Sequence, residues 1–176
     1  MAIHRLNHAV LYVRDVTRSV AFYREVLGFN VVMEMGAGGG PKAAFLRAPE
    51  SSNDHDLGLF EIGPSAGSSA AGRATVGLYH LAWEVDTLRD LAALRDRLAE
   101  AGALVGMTDH QTTKSLYGKD PDGLEFEVVW LIPAELLDEA TLAGRNRLEP
   151  LDLAREIERF GADTRGGVGI SRAVLS

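Results

Sequence analysis

Two histidines stand at the same position of two similar stretches of the chain and could bring two imidazole rings to one metal ion. His8 lies in the stretch from Leu6 to Val13, and His80 lies in the stretch from Leu78 to Val85, 72 positions later. Each is the third residue of a Leu-x-His pattern within an alternating, strand-like stretch. A repeat of this length indicates a duplicated supersecondary unit, whose equivalent strands bring equivalent side chains together near a pseudo-two-fold axis. We therefore predict a metal site that contains both rings.

A carboxylate in an otherwise apolar strand is the third candidate ligand. Glu127 lies between Phe126 and Val128, in a strand-like stretch that ends at Trp130. Burying a charged carboxylate there costs free energy unless the group is paired or binds a cation. Two histidines and one carboxylate on one face of a metal ion leave open coordination positions, as in the facial triad of non-haem Fe(II) enzymes. Open, adjacent positions let a metal hold a bidentate substrate and a small molecule together.

Two modules, each with one helix and four strands, are predicted to position these residues. The first has a strand over 3–13, a helix between Asp15 and Gly28, and strands over 29–35, 43–48 and 57–62. After a linker rich in Gly, Ser and Ala over 63–76, the second has elements over 77–85, 88–101, 103–107, 114–119 and 124–130, with a turn at 120–123. The predicted fold class is α+β, with two βαβββ modules (1–62 and 76–131) that form one domain over 1–131. Their curved mixed sheet is expected to enclose a metal cleft.

The chain beyond this domain does not repeat and is predicted to form a C-terminal helical extension over 132–176. Residues 134–142 favour a helix, and Pro150 suits the first turn of a second helix that Gly161 ends. The second helix has an apolar stripe made of Leu153, Ile157 and Phe160. The extension could act as a lid, as an arm over a partner subunit or as a cover for the core. We expect it to contact a second subunit in a homodimer or higher homo-oligomer.

Composition limits the expected partners and location of the protein. The 176 residues carry 18 Lys and Arg against 25 Asp and Glu, a formal net charge of −7, so we expect no binding to nucleic acid or to an anionic membrane. The absence of cysteine excludes disulfide bonds, thiolate ligands and a cysteine nucleophile. No secretory signal opens the chain, and no apolar run reaches the ~20 residues of a membrane span. We therefore expect a cytoplasmic protein.

The three candidate ligands and their surroundings resemble the vicinal oxygen chelate superfamily, which includes glyoxalases, fosfomycin- and bleomycin-resistance proteins and extradiol dioxygenases. The resemblance covers residues 4–131. It is carried by the stretches around His8 and His80 and by the Asp-Pro-Asp-Gly turn that leads to Glu127. It implies that His8, His80 and Glu127 are the metal ligands.

One ligand position separates reactions within this superfamily. Glyoxalase I adds a carboxylate on the last strand of the first module, where this chain has Gly58. Glu61 lies an odd number of residues further along and would face the other side of the sheet. The resemblance therefore disfavours a four-ligand isomerase site. Bleomycin-binding relatives generally lack the metal triad, which weighs against a role in sequestration alone.

A segment ahead of the carboxylate ligand is closest to small catechol 2,3-dioxygenase-like members. The run from Asp109 to Tyr117 resembles their Asp-His segment and Ser-x-Tyr strand, and Glu127 follows Tyr117 by ten residues. By this resemblance, His110 is a catalytic acid/base and Tyr117 donates a hydrogen bond to a bound catecholate oxygen. The chain departs from the pattern at Gln111, where glycine is common.

The leading prediction is an Fe(II)-dependent extradiol-type ring-cleaving dioxygenase whose partners are a small catechol-like aromatic substrate and O2. Fe(2+) is the expected cofactor, with Mn(2+) or another divalent metal as the alternatives. Two other functions stay open. One is a metal-dependent glyoxalase-type isomerase, epimerase or thiol transferase of the same superfamily. The other is a non-enzymatic protein that binds a drug or metabolite.

Overall fold

The structure is a computed structural model that describes residues 2, 3, 5–71 and 74–169. The chain divides into two units. The first comprises Met1–Ala70 together with Asp120–Leu124, and the second comprises Ala71–Lys119 together with Glu125–Ser176. The helices and strands of the two units confirm the predicted α+β class with two mixed sheets. None of the helices in the described residues is long and apolar enough to cross a membrane.

The first unit contains a four-stranded sheet and one helix. Its elements are β1 (Ala9–Val13), α1 (Val16–Glu25), β2 (Asn30–Met35), β3 (Ala43–Arg47) and β4 (Leu57–Glu61). The strands lie in the order β1-β4-β3-β2, with β1 and β4 parallel and the other neighbours antiparallel. Asp15 caps α1, as predicted, by accepting a hydrogen bond from the backbone N–H of Arg18 at 2.9 Å. The helix buries Val16, Val20 and Tyr23.

β1 begins at Ala9, later than the predicted strand over 3–13. The backbone N–H of Ala9 donates to the carbonyl oxygen of Asp56 at 2.9 Å, immediately before β4 begins at Leu57. Within the described residues, β4 therefore offers no partner to positions ahead of Ala9, which alternation in the sequence alone does not reveal. His8 consequently lies just before β1 instead of within it.

The second unit repeats this arrangement and adds a fifth strand. Its elements are β5 (His80–Glu84), α2 (Leu88–Glu100), β6 (Leu104–Asp109), β7 (Thr113–Lys119), β8 (Glu125–Leu131) and β9 (Glu149–Pro150). The strand order is β5-β8-β7-β6-β9, with β5 and β8 parallel and the other neighbours antiparallel. Helix α2 buries a stripe of four leucines at helical spacing: Leu88, Leu91, Leu94 and Leu98. The sheet face opposite this packing stays open.

The predicted turn at 120–123 is present, and its contacts belong to the first unit. Asp122 accepts hydrogen bonds from the backbone N–H of Arg14 at 2.9 Å and from the Arg14 guanidinium at 2.7 Å. The hydroxyl of Tyr23 donates to Asp120 at 3.3 Å. Burial raises the pKa of Tyr23, so this phenol keeps its proton and stays a hydrogen-bond donor.

The C-terminal extension is less helical than the sequence predicts. In place of one helix over 134–142, there is a single 3-10 turn (Ala134–Leu136) followed by α3 (Glu139–Gly144). Asp138 causes the interruption, because its carboxylate caps α3 by accepting a hydrogen bond from the N–H of Thr141 at 2.7 Å.

The prediction for Pro150 is also wrong. Pro150 lies in β9 at the edge of the second sheet instead of in the first turn of a helix. Helix α4 (Leu153–Phe160) begins later because Asp152 is its cap, and Gly161, with φ +88°, ends it as predicted.

Helix α4 packs on its own unit. Leu153 is buried, and the ring of Phe160 lies against that of Trp130 with 5.5 Å between centroids. The apolar stripe that motivated an oligomer contact is therefore covered, at least at these two residues, by the same chain. Helix α4 thus covers part of its own unit, and the role of the whole extension and the homo-oligomer stay predictions. The last part of the predicted extension, 170–176, lies outside the described residues.

Candidate active site on the second sheet

The open face of the second sheet carries three of the predicted site residues. Tyr117 of β7 pairs directly with Glu127 of β8, so both side chains leave the same face. His80 of β5 pairs with Glu125, which lies two residues before Glu127 and shares its face. Phe126 points to the opposite face, where it is buried. The strand register therefore brings His80, Tyr117 and Glu127 together.

His80 and Glu127 are spaced like two ligands of one metal ion. Nε2 of His80 lies 3.2 Å from Oε2 of Glu127, and the two side chains are 24% and 13% exposed. Two donor atoms that each bind a metal at about 2.1 Å, with an angle of about 90–110° between them, are about 3.0–3.4 Å apart. An imidazole nitrogen and a carboxylate oxygen also suit Fe(II) and similar divalent ions. The pair therefore fits a divalent metal.

Tyr117 links Glu127 to His110 through its hydroxyl group. The phenol oxygen lies 3.3 Å from Oε1 of Glu127 and 2.8 Å from Nε2 of His110. Burial, followed by the negative charge of Glu127, raises the pKa of Tyr117 to about 12. The single phenolic proton can be donated to Glu127 when Nε2 of His110 carries hydrogen, or to His110 when Nε2 is bare. These three groups form a path along which a proton can shift.

A tight turn between β6 and β7 holds His110. Its backbone N–H donates to the carbonyl oxygen of Thr113 at 3.0 Å, and the N–H of Thr112 donates to the carbonyl oxygen of His110 at 2.8 Å. Gln111 has φ +68°, in the left-handed region that favours glycine, which accounts for glycine at this place in the dioxygenase-like pattern. Asp109 supports the strained residue, because its carboxylate accepts a hydrogen bond from the N–H of Gln111 at 2.6 Å.

His8 belongs to the first unit, where it is exposed. Its Nδ1 lies 2.7 Å from Oδ1 of Asn7, and its ring packs against that of His55 with 4.6 Å between centroids. Because an amide oxygen can only accept, Nδ1 is the donor in this contact, which leaves Nε2 as the ring nitrogen that a metal could bind. In the part of the chain that the structure describes, there is no group of three or more His, Asp or Glu residues that could hold a metal ion. The joint ligand set of His8, His80 and Glu127 therefore stays a prediction.

Glu61 faces the helix side of the first sheet, as the strand alternation predicts. Its Oε2 accepts a hydrogen bond from the backbone N–H of Val16 at 3.3 Å, and its Oε1 contacts the ammonium group of Lys42. The hydrogen bond from Lys42 is the main reason that the pKa of Glu61 is lowered. Gly58 pairs with Val10 on β1 and offers no ligand at the glyoxalase position.

Lys114 contacts both neighbours of His110 and is paired with Glu156, and the sequence patterns do not single out either residue. The Lys114 side chain is 1% exposed, with Nζ 2.6 Å from Oδ1 of Asp109 and 3.0 Å from Oε2 of Glu156. The sequence does contain one signal for Lys114. This lysine lies two residues before Leu116 and therefore shares the buried face of the strand, where a charge needs a partner. No comparable signal points to Glu156, whose contact with Lys114 joins distant parts of the sequence.

The chain is similar in sequence to a family model and to known dioxygenases. A model of the Glyoxalase/Bleomycin resistance protein/Dioxygenase superfamily matches residues 5–128. The chain is 32% identical over 123 residues to the Catechol-2,3-dioxygenase of Bacillus subtilis (strain 168), covering 70% of this chain and 40% of that protein. It is 37% identical over 123 residues to the Biphenyl-2,3-diol 1,2-dioxygenase 3 of Rhodococcus globerulus, covering 68% and 59%. The chain thus spans about half the length of these two dioxygenases.

An epimerase is also among the relatives. The chain is 37% identical over 106 residues to the Ethylmalonyl-CoA/methylmalonyl-CoA epimerase of Cereibacter sphaeroides, covering 58% of this chain and 75% of that protein. The crystal structure of a glyoxylase/bleomycin resistance protein/dioxygenase domain from Frankia sp. EAN1pec matches with a TM-score of 0.59 and 25% identity, covering 73% of this chain and 92% of that one. From the matched family model and the shared fold, the chain belongs to the Glyoxalase/Bleomycin resistance protein/Dioxygenase superfamily.

Proposed function

We propose that this protein is an Fe(II)-dependent extradiol-type dioxygenase that opens the ring of a catechol-like aromatic with O2. The observation that carries the proposal is the hydrogen-bonded series His110, Tyr117 and Glu127, beside His80. Opening a ring beside its diol needs a group that moves protons and a donor that orients a substrate oxygen, close to the metal. The identities to two dioxygenases, 32% and 37%, support the same assignment.

His8, His80 and Glu127 would hold the metal. His80 offers Nε2 and Glu127 offers Oε2 at the spacing of two ligands of one ion. His8 would offer Nε2, because Asn7 engages its Nδ1. Bound there, Fe(II) would supply adjacent open positions for a catechol and O2, and a redox-active centre between them.

Tyr117 and His110 would act on the oxygens and protons of the substrate. Tyr117 keeps its phenolic proton and would donate it in a hydrogen bond to a catecholate oxygen. His110 would take a proton at Nε2 from a catechol hydroxyl, directly or through Tyr117, and return it to the ring-opened product. Histidine suits both directions of transfer because its charge changes near neutral pH.

A metal-dependent isomerase or epimerase is the second candidate, because the epimerase relative is 37% identical over 75% of its length. Gly58 weighs against a four-ligand site, since it leaves the face of β4 that it shares with Val10 without a carboxylate at that position. A thiol transferase and a non-enzymatic binding protein complete the alternatives. All of these differ from the leading proposal in one measurable respect, because none of them consumes O2.

The test is turnover of a catechol panel by protein loaded anaerobically with Fe(II), with Mn(II) or with no metal. Metal content and the absorbance of the yellow ring-opened product are followed after air is admitted. Product formation that depends on the metal supports the proposal. A metal-loaded protein that opens no catechol, but exchanges the α-hydrogen of methylmalonyl-CoA for deuterium, would establish the epimerase instead.

A further inference from the structure

A buried lysine lies directly behind the turn that carries His110. Lys114 is on the face of β7 opposite to Tyr117, and its side chain is 1% exposed. Its ammonium group donates to the carboxylate of Asp109 at 2.6 Å and to the carbonyl oxygen of Gln111 at 3.4 Å. The same nitrogen forms an ion pair with Glu156 of α4 at 3.0 Å. Lys114 therefore contacts both neighbours of His110 and a helix of the C-terminal extension.

These charges constrain one another because they are buried. Glu156 is 5% exposed, and the Asp109 side chain is 15% exposed. A buried charge is costly unless it stays paired, so α4, β7 and the end of β6 are held at fixed distances. Asp109 transmits this constraint to the turn, since the same oxygen that binds Lys114 also binds the N–H of Gln111.

The extension contacts the turn at two further places. Glu149 of β9 pairs with Asp109, the residue just before His110. Gly144 of α3 lies so close to Gln111 that an added Cβ would be 3.2 Å from Oε1 of that side chain. Pieces of three elements of the extension, β9, α3 and α4, thus pack around one short turn.

We propose that the C-terminal extension positions His110 for catalysis, with Lys114 and Glu156 as positioning residues that act through the turn. This inference rests on the proposed function, in which Nε2 of His110 must stay within hydrogen-bond reach of Tyr117. The family match ends at residue 128, so the extension lies outside the part that the superfamily shares. A catalytic group that is displaced by about 1 Å can lose about 10²-fold in rate. The extension keeps His110 from such a displacement.

Glu156→Gln tests the proposal, because it removes one charge and keeps the shape and the Lys114–Asp109 pair. We expect kcat for catechol cleavage to fall by about 10-fold to 10²-fold with KM changed by less than about 2-fold. Asp163→Asn is the matched control. It breaks an ion pair between the same extension and Arg89 of α2, 2.6 Å long and exposed, which does not involve the turn. It should leave kcat unchanged.

A double-mutant cycle separates positioning from general loosening of the structure. In a His110→Ala background, Glu156→Gln should cost no further kcat, because the group through which it acts is absent. An equal loss in both backgrounds, or wild-type kcat in Glu156→Gln, would overturn the proposal. If Glu156→Gln does not fold, Gly144→Ala replaces it in the same cycle. Its added Cβ would lie 3.2 Å from Oε1 of Gln111 and 2.8 Å from the flexible end of Arg147, and it leaves Lys114, Asp109 and Glu156 unchanged.

A readout that needs no activity keeps this inference distinct from the proposed function. The imidazole Cε1–H resonance of His110 can be assigned by its absence in His110→Ala. If the protein cleaves no catechol, the proposed function fails. A shifted or broadened His110 resonance in Glu156→Gln, with wild-type signal in Asp163→Asn, then still supports positioning of the turn by the extension. An unchanged resonance in Glu156→Gln overturns it.

Discussion

The two halves of the chain fold alike but present different side chains on their open sheet faces. On the first sheet, Val10, Tyr12 and Phe60 share that face and are 52%, 72% and 37% exposed. On the second sheet, the corresponding face carries Tyr117 and Glu127, which are joined by a hydrogen bond. One module therefore offers mainly apolar surface, and the other offers a phenol and a carboxylate, the side chains on which the proposed chemistry depends.

The hairpin that follows the helix of each module also differs between the two halves. In the first module, β2 and β3 are joined by a glycine-rich loop in which Gly38, Gly39 and Gly40 all have positive φ. In the second module, the equivalent hairpin between β6 and β7 is a tight turn that holds His110. The two modules therefore share the order of their helix and strands, and they differ in their loops and in the side chains that those loops hold.

The largest expected effect on activity is the contrast between replacing Glu127, near the end of the second module, and replacing Glu61, near the end of the first. Glu127→Gln should weaken metal binding and abolish turnover while the fold persists, because a charged ligand becomes neutral at nearly constant volume. Glu61→Gln, on the last strand of the first module, should keep both metal and turnover, since Glu61 is engaged by Lys42 and α1. Metal content and steady-state rates of both variants decide the matter. Full metal and full activity in Glu127→Gln would remove Glu127 from the ligand set.

His110→Ala should lower turnover by about 10²–10⁴-fold, the usual cost of losing a general acid/base. Iron should stay bound, because His110 contacts Tyr117 and not the proposed ligands. Stopped-flow rates and iron analysis of the same sample provide the check. Wild-type rates in His110→Ala would show that the turn between β6 and β7 contributes no catalytic group, like the glycine-rich loop of the first module.

Each module has a lysine paired with acids, and the two pairs should differ in stability. Lys114→Met should lower the free energy of unfolding by about 3–5 kcal/mol, because it leaves Asp109 and Glu156 without a buried counter-charge. Lys42→Met should lower the urea midpoint only slightly, since the Lys42 side chain is 63% exposed and its pair with Glu61 is screened by water. Urea denaturation of both variants measures this contrast. Equal midpoints would mean that burial of Lys114 contributes nothing.

The smallest expected effect is a contrast in pH dependence between Glu61 and Glu84. The pKa of Glu61 is lowered, mainly by its hydrogen bond with Lys42, so its contribution to stability is present at neutral pH and is lost as the pH falls through the folded-state value. Partial desolvation, followed by the negative charge of Asp86, raises the pKa of Glu84 on β5, so its contribution to stability is lost as the pH rises through the folded-state value.

Denaturation midpoints at neutral and acid pH test the contrast. Glu61→Gln should be slightly less stable than the wild type near pH 7, and the difference should shrink as the pH falls below about 4.3, the ordinary pKa of glutamate. Glu84→Gln should be at least as stable as the wild type near pH 7. A Glu84→Gln variant that loses stability at neutral pH would contradict the assigned role of burial.

The parts of the fold that local signals encode could be predicted from the sequence. Asp15 caps α1 and Gly161 ends α4 because capping depends on residues within one turn of the helix. The sequence pattern likewise predicted β7 and β8 to within a residue or two, and the pairing of Tyr117 with Glu127 became visible only in the strand register.

Features that depend on distant partners could not be predicted in this way. The two-residue strand β9 forms because Glu149 and Pro150 pair with β6, and a segment of two residues is too short for a sequence pattern to predict that pairing. The ion pair between Lys114 and Glu156 forms only once α4 packs on the second sheet. The start of β1 depends in the same way on where β4 begins. In each case tertiary contacts, and not local preference, fix the structure.

Oxygen uptake tests the central claim most directly. Iron-loaded protein is mixed with each catechol in an oxygen electrode, and O2 consumption is compared with the ring-opened product formed. We expect the wild type to consume one O2 for each ring opened, and His110→Ala to do so at a rate lowered by about 10²–10⁴-fold. Iron-loaded protein that consumes no O2 with any catechol would contradict it.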